Sequence, residues 1–94
     1  KKGVVVVDAG AVTALKERGK SLLASGIVRV SGEFDAGELI AISDESGDEI
    51  ARGLVRYGAG EVKRIQGKRS DEIAAILDGR IAEAVIHRDD MVIL

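Results

Sequence analysis

Neither proline nor asparagine occurs in this chain, so its turns must be made by twelve glycines with help from Asp and Ser. The glycines recur at short intervals from one end to the other. The elements between them must therefore be short. Ninety-four residues suffice for one domain with one compact core and little else. Without cysteine there is neither a disulfide nor a thiolate-bound zinc, so packing alone must hold the fold. No apolar run exceeds five residues, far too short for a membrane span or a signal sequence. A soluble domain is expected. The chain opens at Lys1-Lys2 rather than Met, and reads as a piece of a longer protein.

The run Val4 to Val7 is β-branched throughout, the pattern of a strand buried on both faces. Asp8 can cap a following helix, whose inner face is Ala11, Val12, Ala14 and Leu15, and Gly19 suits its left-handed C-terminal cap. Leu22-Leu23 is expected to pack inward. Ile27 to Phe34 reads as a strand, with Val28 and Val30 on one face. A turn at Asp35-Ala36-Gly37, a strand over Leu39 to Ser43, a polar turn over Asp44 to Asp48 and a strand over Glu49 to Tyr57 follow. The period then changes. Val62 and Ile65 suit a short helix closed by Gly67. Ser70 is placed as the N-cap of another, with Ile73, Ile76 and Leu77 inward and Gly79 at its end. Ala84 to Ile86 and Met91 to Leu94 read as strands around a turn at Arg88-Asp89-Asp90. The order β-α-β-β-β-α-α-β-β predicts a mixed α/β, mainly β, small barrel.

Three motifs suggest chemistry and fall short of it. Ala14 to Ser21, ending Gly19-Lys20-Ser21, loosely fits a phosphate-binding loop, but that loop must open a helix and here it follows one. Gly58-Ala59-Gly60 lacks the third glycine of a dinucleotide fingerprint, since position 63 is Lys63. Asp44 to Glu49 gathers four carboxylates without the twelve-residue frame of a calcium loop, and reads as a solvated hairpin turn. His87, the only histidine, has Asp89 and Asp90 near it but no nucleophile. No catalytic residue and no metal site is assigned. Two basic clusters remain, Lys16, Arg18 and Lys20 at the end of the first helix, and Lys63, Arg64, Lys68 and Arg69 around Gly67. Either could meet phosphate, although no aromatics interleave them to stack on bases.

The string Asp8-Ala9-Gly10-Ala11, Ala14-Leu15, Gly19-Lys20-Ser21-Leu22-Leu23 and Gly26-Ile27 resembles the opening of a PUA domain, a pseudobarrel module with short helices. Val30-Ser31-Gly32-Glu33-Phe34, Ile50-Ala51-Arg52-Gly53-Leu54 and Tyr57 continue the resemblance. The ending, with Gly67, Ser70, Glu72-Ile73, Ile76-Leu77-Asp78-Gly79 and Val85 to Met91, resembles the C-terminal PUA domain of the bacterial glutamate 5-kinase family. Ser25 stands where many such domains carry Pro, and Gly58-Ala59-Gly60 where the kinase family often has Ser or Asn.

The resemblance implies a cytoplasmic parent that phosphorylates glutamate at its side-chain carboxylate, the first step of proline synthesis, and that the parent forms homo-oligomers. Catalysis, with its ATP and magnesium, would belong to an upstream amino-acid-kinase domain, the module's partner in the same protein. This chain is expected to need no cofactor of its own and to contact no membrane. Two roles compete. One is an accessory domain acting on assembly or feedback control through protein contacts. The other is an RNA-binding module, as in enzymes that modify tRNA or rRNA, using Lys16, Arg18, Gly19, Lys20 and Ser21 against an RNA backbone. A net charge of −2 and the near absence of aromatics favour the first.

Overall fold

The computed structural model describes residues 3–77 and 84–94. The expected helix end at Gly79 lies outside those residues. Among these residues five strands, β1 (Gly3–Val7), β2 (Ile27–Gly32), β3 (Leu39–Ser43), β4 (Glu49–Leu54) and β5 (Met91–Ile93), form one sheet in the order β2-β1-β3-β4-β5. β1 and β3 run parallel and the other pairs are antiparallel. The register sets up two rows that cross all five strands. One row, Val30–Val5–Ile42–Ala51–Ile93, crosses the core at Val5, Ile42 and Ala51 and ends at the exposed Ile93. Its neighbour, Ser31–Val4–Ala41–Arg52–Val92, points to the other face, where Ala41 is covered and Arg52 and Val92 are exposed. β-Branched residues dominate the core row because a pleated, buried surface suits them.

Among the described residues there are three helices: α1 (Ala9–Arg18), α2 (Ala59–Ile65) and α3 (Ser70–Ile76). Asp8 caps α1 by accepting the Ala11 N–H at 2.8 Å, and Gly19 ends it at φ 60°. Only Gly adopts that conformation without steric cost. Val62 and Ile65 of α2 are fully buried, and α2 packs against β2 and α3. Arg64 Nη2 donates to the Ile76 carbonyl at 2.8 Å and ties α2 to α3.

The sheet closes through segments that precede its two edge strands. Leu22, ahead of β2, forms an isolated antiparallel bridge with Ile86, ahead of β5. Leu22 N–H donates to Ile86 O at 2.9 Å and Val85 N–H to Leu22 O at 2.8 Å. Leu22, Val85 and Ile86 are at most 1% exposed, so this seam belongs to the core. Gly53 makes it possible. A Cβ there would stand 2.6 Å from Ile86 Cγ2 and 2.9 Å from the Asp90 carbonyl. The five-stranded mixed sheet with short helices agrees with the expected class.

Some expected details differ. β4 stops at Leu54, not Tyr57, because the next backbone groups leave the ladder: Val55 pairs with Glu38 and Gly37, and Arg56 N–H donates to Val85 O. β2 stops at Gly32, where φ is 87°, short of the buried Phe34. A register shift between Val6 and Val7 leaves Val28 out of the ladder and 42% exposed, so it does not share the half-buried setting of Val30. Arg69, not Ser70, holds the N-cap position of α3, and its N–H donates to Glu72 Oε1 at 3.0 Å. The stretch 84–86 contributes the bridge instead of a strand, and residues 88–90 form a 3-10 turn. Leu23 is not inward but 57% exposed.

Candidate functional site

The inner face of α1 is only partly covered. Leu15 is buried, while Ala11, Val12 and Ala14 are half-buried. Opposite them runs the segment from Lys20 to Gly26, which ends in a 3-10 turn, Ala24–Gly26. Asp8 N–H donates to Gly26 O at 2.9 Å. A side chain at Gly26 would put its Cβ 2.7 Å from that of Ala11, so glycine lets this segment approach the helix. Between them lies a groove of about 340 Å3. Small residues of α1 (Gly10, Ala11 and Ala14) form one wall. Lys20, Leu23 and Ser25 stand on the other.

The candidate residues divide around this groove. Lys20 and Ser21 line it, whereas Lys16, Arg18 and Gly19 do not. Lys16 and Arg18 are exposed in the last turn of α1, where cations also serve the helix dipole. Ser21 Oγ accepts the Arg88 N–H at 2.9 Å. That bond brings a fourth basic residue to this end of α1, and sequence reading gave no sign of it because the two residues lie far apart in the chain. Leu23, an exposed apolar side chain on the groove wall, was missed for the opposite reason: its sequence neighbour Leu22 is truly buried.

Gly19-Lys20-Ser21 is a helix exit. Lys20 N–H donates to Ala14 O at 3.1 Å, which satisfies a carbonyl of the last turn. With that amide and the Ser21 hydroxyl engaged, the segment does not fit a triphosphate with its magnesium.

The other polar clusters are similarly engaged. Lys68 and Arg69 line a second cavity of about 270 Å3, with Leu23, Ser25 and Ser70. Arg69 lies 3.7 Å from Asp71 and 3.8 Å from Glu72. In the acidic turn, Asp44 Oδ1 accepts from Ser46 Oγ at 2.8 Å and from the Ser46 and Asp48 N–H groups at 3.0 Å. The Ser46 hydroxyl first, then the backbone donors, hold the Asp44 carboxyl below the ordinary aspartate range. His87 Nδ1 accepts the Asp89 N–H at 3.1 Å and caps the 3-10 turn. No group of three or more His, Cys, Asp or Glu suited to a metal occurs among the described residues. None of their helices is long and apolar enough to cross a membrane.

A strand–helix opening, a groove on that helix and a sheet closed through a bridge together define a specific architecture. The PUA domain family matches residues 3–77. The chain belongs to the PUA domain family. Two solved PUA structures share the fold. A PUA domain from Aeropyrum pernix K1 superposes with a TM-score of 0.67 at 26% identity, over 92% of this chain and 41% of that one. A conserved PUA domain protein from Thermoplasma acidophilum gives 0.63 at 28% identity, over 92% of this chain and 48% of that one. Among curated sequences, the glutamate 5-kinase of Shewanella woodyi is 50% identical over 93 residues, 99% of this PUA domain and 25% of that enzyme. The glutamate 5-kinase of Geobacter sulfurreducens is 51% identical over 92 residues, 98% of this domain and 25% of that enzyme. The PUA domain described here thus spans about a quarter of the length of these relatives.

Proposed function

We propose that this PUA domain is the C-terminal accessory module of a glutamate 5-kinase, non-catalytic itself, and that it acts on the assembly or feedback control of a linked amino-acid-kinase domain in a cytoplasmic enzyme. The observation that carries the reading is the match itself: about half of all residues are identical across nearly the whole module in enzymes of that name, and the module fills only a quarter of each. ATP, magnesium and glutamate then belong to the linked domain. Phosphoryl transfer needs cationic clamps and a positioned metal, and the Gly19-Lys20-Ser21 segment does not fit that task. The test compares the longer polypeptide with a version lacking this module, at saturating glutamate and ATP, with and without proline. Turnover should persist in the truncated form, while its response to proline or its assembly state changes. Loss of turnover in a truncated but folded enzyme, or identical control and assembly in both, would overturn the reading.

A second reading rests on one observation, the Ser21–Arg88 bond. It brings the backbone of Arg88, whose guanidinium lies 3.9 Å from Asp89, to Ser21 on the lining of the α1 groove, with Lys20 just before it in the chain and Lys16 and Arg18 in the last turn of α1. Such an edge suits an RNA phosphate backbone.

A further inference from the structure

The outward face of the sheet is not a polar one. Leu39 and Leu54 are direct cross-strand partners on β3 and β4, 43% and 45% exposed. Val92, opposite Arg52 on β5, is 65% exposed. Leu94, two residues after Val92, continues the ladder by donating its N–H to Ile50 O at 3.0 Å, and it is 59% exposed. Leu54 and Val92 are the nearest of these to Arg52, with Leu39 and Leu94 one step further along the strands, and the charge of Arg52 is met by Glu49 through Arg52 Nε. Arg56 and Asp90, 3.8 Å apart, stand at the rim. An apolar group beside a neutralised ion pair, with charged residues outside it, has the make-up of an interface core and its rim. Small soluble domains seldom leave such a grouping open to water. The α1 groove is a separate feature, built from α1 and the segment up to Gly26.

We infer that the outward face of β3, β4 and β5 is the seat of the linked domain in the longer protein. The inference rests on the accessory-module reading for its partner. The relatives supply the argument for that occupant: each carries this module nearly whole, joined to a body about three times its size. A tethered body reaches millimolar effective concentration. A modest patch with a mixed rim is then sufficient, as interfaces between domains of one chain generally are.

The absence of cysteine gives a direct test, since one introduced thiol is the only one in the module. Val92→Cys and Leu54→Cys are made in the 94-residue chain and in the longer polypeptide. Leu23→Cys, 57% exposed and outside this face, is the control. Labelling by a small maleimide is followed by mass on the peptide that carries the thiol. In the longer protein, labelling at Val92→Cys and Leu54→Cys should slow at least tenfold relative to the short chain, and labelling at Leu23→Cys should not. Equal rates at the sheet positions in both forms would overturn the inference. So would protection in the short chain that grows with its concentration, which would make a second copy the occupant. Glutamate-dependent ADP release by the longer protein is assayed separately. A protected face in a polypeptide without that activity would leave the docking inference standing and defeat the kinase reading.

Discussion

Ser21 Oγ accepts the backbone N–H of Arg88 at 2.9 Å, and this one bond fastens the loop after α1 to the turn before β5. It lies beside the Leu22–Ile86 bridge, so a polar fastening and an apolar seam close the sheet side by side.

Ser21→Ala should therefore weaken the closure without disturbing the core. Loss of one such hydrogen bond corresponds to about 0.5–1.5 kcal/mol. Urea denaturation should show that loss, with faster hydrogen exchange at the Arg88 amide than in the parent chain. Unchanged exchange at Arg88 would show that the bond does not hold the turn in solution.

Gly53→Ala should be worse than its one added methyl suggests. The new Cβ would meet Ile86 Cγ2 at 2.6 Å and the Asp90 backbone at 2.9 Å. Neither can move without opening the seam, so overpacking should cost about 1–3 kcal/mol. Gly60→Ala, with nothing within 4 Å, is the matched control. Thermal or urea unfolding that ranks the two alike would contradict the packing at the seam.

Ser46→Ala should shift the titration of Asp44. The Ser46 hydroxyl is the largest cause of the lowered Asp44 pKa, so its removal moves that pKa upward toward the ordinary aspartate range. A depressed folded pKa stabilises the fold at pH above the unfolded value, and the contribution fades as pH falls through the folded pKa. The acid limb of the stability curve should accordingly lose part of its slope in Ser46→Ala. Carboxyl chemical shifts followed against pH would check it, and an unmoved Asp44 would refute the assignment.

Replacing Lys16, Arg18 and Lys20 together tests the RNA reading. If this edge meets an RNA backbone, affinity for a structured tRNA should fall and the salt dependence should flatten by up to about three units, one per lost phosphate contact. Identical salt slopes before and after replacement would remove these residues from any RNA contact.

Much of this arrangement was legible in local sequence. β3 was bounded correctly at Leu39 and Ser43, Asp8 and Gly19 marked both ends of α1, and Gly37, Gly47 and Gly67 stand at positive φ where turns were expected. These are features that a residue and its near neighbours decide. Val55 to Tyr57 misled for a physical reason: the inward side chains keep alternating, and Val55 and Tyr57 are indeed buried, while the backbone hydrogen bonds have already turned elsewhere. Side-chain pattern reports burial, not ladder partners. In the candidate site, Lys20 and Ser21 could be read from their cluster at a helix end. Arg88 could not, because its place there depends on a bridge between distant segments. The exposed group of Leu39, Leu54 and Val92 was hidden in the same way, since only the strand register reveals that they share a face.

β1 is the first strand of the chain, yet it lies inside the sheet with β2 on one side and β3 on the other. During synthesis it must therefore wait. β3 ends at Ser43, and at about 5–20 residues per second the ribosome reaches that point roughly 2–7 s after finishing β1. Through that interval Val4 to Val7 is an uncharged, β-prone run without its full complement of partners, the kind of segment for which aggregation and chaperones compete. The position of one strand thus gives the module a period of vulnerability at birth that its finished structure does not show.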